Sequence, residues 1–202
     1  VVPGNHDIYV RLRSDPGVAR WHAYMSGSDR APGGRSAPAF PYLRRVGPLA
    51  LIGLNSAVPT PPLVAAGRLG VEQLARLGGL LDTAARDGLV RVVLIHHPPL
   101  PGQARAHSAL RDADDLTRVL ERHGAELVLH GHIHRELIAP LPGPADRHGV
   151  SVGVPSASAG LTIGHAPLAR YHLFTIGWAC WSLTIVIGRS WPNRISIVES
   201  WM

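Results

Sequence analysis

Apolar positions along the chain recur at two periods. Val71, Leu74, Leu77, Leu81 and Ala84 fall three or four residues apart, which predicts an amphipathic helix over about 70–86, weakened by Gly78 and Gly79. A near-continuous β-branched run over 89–95 reads as a strand buried on both faces. A second helix follows: Asp112 is its cap, Asp115 lies in its first turn, Leu116, Val119 and Leu120 face the core, and Gly124 is its stop. The short apolar stretch 127–129 is the next strand. Upstream, 40–45 and 49–55 are strands joined by Val46-Gly47-Pro48, and 1–3 is the tail of a buried strand ending in a tight turn that Gly4 permits. Ser14 or Asp15 caps a helix with Pro16 in its first turn, and Val18, Trp21, His22 and Met25 recur at helical spacing. Residues 26–38 and 56–67 are Gly- and Pro-rich loops of the kind that border sites. Past residue 130, strands over 136–141, 149–154, 171–176 and 181–187 follow one another without helices. Alternating β and α units running into consecutive strands predict an α/β fold. No repeat or linker divides it, so residues 1–188 are expected to form one domain, with 189–202 a tail whose role the sequence leaves open.

Composition narrows the chemistry. One cysteine in 202 residues, Cys180, excludes an internal disulfide framework and a Cys-based zinc site, so any metal must be held by histidine, amide or carboxylate. The net charge of +6 comes with 20 arginines and no lysine, scattered rather than clustered. No dedicated nucleic-acid partner is expected, and a positive field equally suits a small phosphate-bearing substrate. The most apolar run, 173–188, is interrupted by Gly177, Trp178, Ser182 and Thr184 and falls short of the ~18–20 apolar residues of a membrane span. With no secretory signal either, a cytoplasmic location is expected. The chain begins at Val1 rather than methionine, which suggests a cut or processed start.

Ligand-type residues follow three of the predicted strands: Asn5-His6-Asp7, His96-His97, and His130 with His132 and His134. Neutral imidazole is the commonest protein metal ligand near pH 7. In an extended segment His132 and His134 would share a face. Beyond the carboxyl ends of parallel strands, such clusters converge on one crevice. His130 reads as a buried neighbour rather than a ligand. His97 reads as a packing residue, an outer-layer group or a substrate contact. His107, with Arg105, lies in a polar loop where it can help bind substrate. His123 is explained by a helix C-terminus, and His22, His148, His165 and His172 by ordinary structural roles.

Gly4-Asn5-His6-Asp7, His96-x-Pro98 and Gly131-His132-Ile133-His134 resemble the third, fourth and fifth motifs of the calcineurin-like metallophosphoesterases, in order. Gly4-Asn5-His6-Asp7 with His96-His97-Pro98-Pro99 is most similar to the class III cyclic-nucleotide phosphodiesterases. The resemblance covers residues 1 to about 187. It implies a two-sheet sandwich flanked by helices and a centre of two divalent metal ions, drawn from manganese, iron, zinc, cobalt or nickel. It further implies that Asn5, His96 and His132 bind the second metal and His134 the first. His6 would face the scissile phosphate, with Asp7 orienting its imidazole. The implied reaction is hydrolysis of a small phosphate ester, with cyclic nucleotides or other phosphodiesters first and phosphomonoesters or pyrophosphate-linked compounds next.

The family's first two motifs, an Asp-x-His pair and a Gly-Asp carboxylate, do not precede Gly4. Asp146-Arg147-His148 matches Asp-x-His only in a loop after the last histidine motif, and no Gly-Asp dipeptide occurs. The expectation is that two βα units are missing from the front. The chain would then be impaired or inactive alone, and a remnant that binds phosphate or one metal without turnover is the alternative.

Overall fold

A computed structural model describes residues 1–8, 18, 20–28, 39–146, 148–156, 169, 171–176, 182–188 and 194–200. Its main sheet begins with a hairpin, β1 (Tyr42–Val46) antiparallel to β2 (Leu49–Gly53). Helix α1 (Val71–Arg86) then leads to β3 (Val90–Leu94), and α2 (Ala113–His123) to β4 (Leu127–His130). Strand β5 (Leu137–Leu141) turns back into β6 (Gly149–Gly153). The order across the sheet is β1-β2-β3-β4-β6-β5; β2, β3, β4 and β6 are mutually parallel, and β1 and β5 close the two edges antiparallel. A second, antiparallel sheet follows, β7 (Tyr171–Ile176), β8 (Ser182–Gly188) and β9 (Arg194–Ser200). The expected α/β class stands.

The buried strands are apolar on both faces because both faces are covered. Ile52, Val93, Ile95 and Val128 meet Leu74, Leu77 and Leu81 of α1 and Leu116 and Leu120 of α2. On the opposite face Val90, Val92, Leu127, Val150 and Val152 pack with Phe174 and Ile176 of β7, which lays the second sheet against the first. Each fully buried leucine contributes about 1.5–3 kcal/mol. Gly78 serves the contact between the two helices: a Cβ there would lie 2.8 Å from His123 Nε2, and His123 Nδ1 bonds Asp82 Oδ1 at 2.8 Å. His123 is thus a helix-to-helix tie, more specific than a dipole effect.

Two local expectations need correction, and two others are filled in. Val1 to Gly4 form no strand; Gly4 has φ −107°, open to any residue, and is glycine because a Cβ would lie 2.8 Å from the His96 ring. Asp112 precedes α2 but does not cap it with its side chain; its carboxylate accepts the N–H groups of Leu69 (3.0 Å) and Gly70 (2.8 Å) and so fixes the entry to α1. The helix expected before Met25 is present at Val18 and Arg20 and gives way to a three-residue 3-10 turn at His22–Tyr24; Ser14, Asp15 and Pro16, like most of 26–38, lie outside the described residues. Part of the tail, Arg194–Ser200, is strand β9; Cys180, Trp191 and Trp201 lie outside the described residues, as does His165.

Candidate metal centre

Strands β3 and β4 run parallel with Leu94 opposite Leu129, so the residues that follow them emerge side by side. Ile95 N–H donates to Leu129 O (3.0 Å) and Gly131 N–H to His96 O (3.1 Å), which carries the pairing past the strand ends and sets His96 beside His132. The segment after β4 is not extended. His132 (φ 71°) and His134 (φ 52°) both take left-handed backbone, a conformation in which histidine is enriched but still strained. The idea that the two converge by strand alternation is therefore replaced by a turn that aims each separately: His132 is half-buried and His134 exposed.

Asn5 arrives from the other end of the sequence, on a 3-10 turn (Asn5–Asp7) closed by Asp7 N–H to Gly4 O (3.0 Å) and by Gly4 N–H to Asp7 Oδ2 (2.8 Å). The turn lies against the His96 ring, and the missing Cβ of Gly4 admits it. Three ligand-type atoms then form a triangle: His96 Nε2 to Asn5 Oδ1 2.8 Å, His96 Nε2 to His132 Nδ1 3.0 Å, and His132 Nδ1 to Asn5 Oδ1 3.1 Å. Protons cannot satisfy it. The oxygen needs a donor from each imidazole, but two donors then oppose each other; turning the amide round demands two acceptors, which also oppose each other. A cation satisfies all three lone pairs at once. The edges match the ~3.0 Å between neighbouring ligand atoms at right angles around a metal with ~2.1 Å bonds. The donor set of two imidazoles and an amide oxygen thus fits a divalent cation.

The electrostatics agree. Burial pushes the His96 pKa down to about 3, helped by the neighbouring imidazoles of His97, His132, His6 and His134, so His96 is neutral at pH 7 and keeps a lone pair. Burial also lowers that of His132, opposed by a hydrogen bond from its ring to the Ser108 carbonyl. A carbonyl that fixes a ligand imidazole is the usual outer support of a metal site. Ser108 had no signal in the sequence, because its role depends only on backbone. His6 and His134 are exposed, close enough for their charge to bear on both His96 and His132.

His97 lies beside the triangle, its ring 4.4 Å from that of His132 between centroids, and its ligand atoms come within 4.8 Å of those of His96 and His132. Both its nitrogens are engaged elsewhere: Nε2–H donates to Ala65 O (2.9 Å) and Nδ1 accepts from Ser56 Oγ (2.7 Å). It is wholly buried, which lowers its pKa to about 4, and it clamps the 56–67 loop to the strand end rather than facing a ligand. His130 is buried, its pKa lowered to about 4 by that burial; it packs on Gly153, and its Nε2 has no partner among the described residues. His107 and Arg105 are exposed on the loop that carries Ser108. Among the described residues no carboxylate belongs to the histidine cluster.

No helix among the described residues is long and apolar enough to cross a membrane. A comparison with curated proteins found no match. The model of the calcineurin-like phosphoesterase family matches residues 1–136, which spans all three motif segments and both strand ends that build the triangle. The chain belongs to the calcineurin-like phosphoesterases, a family of metal-dependent hydrolases of phosphate esters.

Proposed function

We propose that this protein hydrolyses small phosphate esters, phosphodiesters such as cyclic nucleotides foremost, at the site that Asn5, His96 and His132 form. The observation that carries the reading is the triangle of three ligand atoms 2.8–3.1 Å apart, whose mutual contacts no arrangement of protons satisfies. Those three residues hold one divalent cation, and His134 contributes to a second. Bound cations supply positive charge against the phosphate oxygens and lower the pKa of water.

The chain's own groups do the rest. His6 follows Asn5 in the same turn, so any phosphate drawn to the triangle meets its imidazole at the rim. There it stabilises developing negative charge or hands a proton to the leaving ester oxygen. Asp7 fixes His6 through the turn, its carboxylate holding Gly4 N–H. Ser108 keeps the His132 ring in place, and His97 holds the neighbouring loop. Residues 1–188, together with strand β9, which pairs with β8, act as the one domain that assembles this site.

A second reading, a module that binds metal or phosphate without turnover, is favoured by the lack of carboxylates in the cluster among the described residues. The two part on one assay: the chain with manganese, tested on an aryl phosphodiester and the matching monoester. Turnover that His132→Ala abolishes supports the hydrolase and rules out the module. Tight manganese binding without turnover of either ester rules out the hydrolase for this chain.

A further inference from the structure

The 56–67 loop is rooted in the metal site. Ser56 Oγ and Ala65 O hold the two nitrogens of His97, Ala65 N–H donates to His107 O (2.8 Å), Gly67 N–H to Ala109 O (3.0 Å), and Arg111 N–H to Gly67 O (2.9 Å). This loop and the one carrying Ser108, which supports His132, are therefore zipped into a single wall beside the triangle. At the top of the wall Val64 N–H donates to Pro61 O (3.2 Å) and Thr60 Oγ1 to Val64 O (2.5 Å), a tight turn stiffened by Pro61 and Pro62.

Leu63 occupies that turn with φ 66° and is 98% exposed. Neither property serves the fold. Glycine or asparagine would take the left-handed backbone with less strain, and an exposed leucine buries nothing. The other large exposed hydrophobic residues among those described, such as Val46 and Val71, sit on ordinary backbone, so Leu63 alone combines both costs. It is two residues from Ala65, at most ~7 Å between Cα atoms, and Ala65 touches His97. A stiff, apolar tip loses little freedom when a ligand packs against it.

We infer that Leu63 contacts the organic group of the phosphate ester and sets a preference for apolar, ring-bearing groups. This rests on the phosphoesterase reading above. The test compares phenylphosphonate with methylphosphonate, neither of which turns over, by calorimetric titration of the manganese-loaded full chain and of Leu63→Gly, with thermal melts of both. Covering ~55 Å² of apolar surface corresponds to roughly a tenfold preference for the phenyl compound. The inference expects that preference to fall to about twofold in Leu63→Gly, with methylphosphonate affinity unchanged and a melting temperature equal or higher. A phenyl preference that survives in Leu63→Gly, no preference in the parent chain, or a lowered melting temperature overturns it while leaving the phosphate site intact. If neither phosphonate binds the manganese-loaded chain, the phosphoesterase reading fails and this inference fails with it.

Discussion

Gly4→Ala tests how the proposed metal site is assembled, because it adds one methyl group and nothing else. Gly4 has φ −107° and ψ 175°, which alanine adopts freely, so no backbone strain enters. The new Cβ would lie 2.8 Å from both Cε1 and Nδ1 of His96 and 3.1 Å from Nε2. Ordinary contact begins near 3.4 Å, so the ring and the Asn5 turn must separate by about 0.6 Å. A metal site tolerates about 0.2 Å in its ligand distances. One of the two ligands is therefore displaced, and affinity for manganese should fall on the order of 10- to 100-fold. Stability should fall by about 0–2.6 kcal/mol, since overpacking costs about 1–3 kcal/mol and the smaller entropy of the unfolded chain offsets about 0.4–1 kcal/mol, so affinity is read on the folded protein. Gly79→Ala is the control. It has nothing within 4 Å of its Cβ, lies inside α1, and should stabilise by about 0.5–1 kcal/mol with manganese affinity unchanged. Calorimetric titration with manganese and thermal melts of the three proteins measure both quantities. If Gly4→Ala binds manganese as tightly as the parent, the Asn5 turn does not meet His96 as described.

Asp112→Ala strands the buried N–H of Leu69 and frees that of Gly70, and should cost about 2–3 kcal/mol in urea unfolding, without a specific effect on metal affinity measured at saturating folded fraction. Ser56→Ala leaves Nδ1 of the buried His97 without its 2.7 Å partner and should cost about 1–2 kcal/mol, while manganese stoichiometry stays the same; a lost equivalent would make His97 a ligand. Manganese at about 100 times its dissociation constant should stabilise the chain by about 2.7 kcal/mol, a gain that a chelator reverses and that His132→Ala lacks. An equal gain in His132→Ala would place the cation elsewhere.

Much of the framework was legible because it follows from short-range rules. The three- and four-residue spacing of Val71 to Ala84 and the β-branched run ending at Ile95 each dictated one element, and both formed. The strand-end rule placed His96 and His132 on the same rim, and parallel pairing of Leu94 with Leu129 put them there. What the sequence concealed depends on contacts between distant segments. Gly4 looked like a turn former, yet its role is steric and concerns a ring 92 positions away. Asp112 looked like a helix cap, since local spacing cannot reveal that Leu69 and Gly70 offer better-placed donors. The left-handed backbone at His132 and His134 broke the alternation expected of a strand, because nothing in a His-x-His pattern records where a strand stops. His97 reads in the sequence as a packing residue, an outer-layer group or a substrate contact, and only Ser56 and Ala65, distant partners that hold both of its nitrogens, decide for packing.

The central claim is that Asn5, His96 and His132 together hold a cation. Equilibrium titration with manganese of the parent chain, Asn5→Ala, His96→Ala, His132→Ala and His97→Gln, each confirmed as folded by circular dichroism, addresses it directly. The account predicts that the first three substitutions each weaken binding at least about 10-fold, whereas His97→Gln lowers stability but keeps the affinity. Unchanged binding in the three triangle variants, or loss only in His97→Gln, would contradict it.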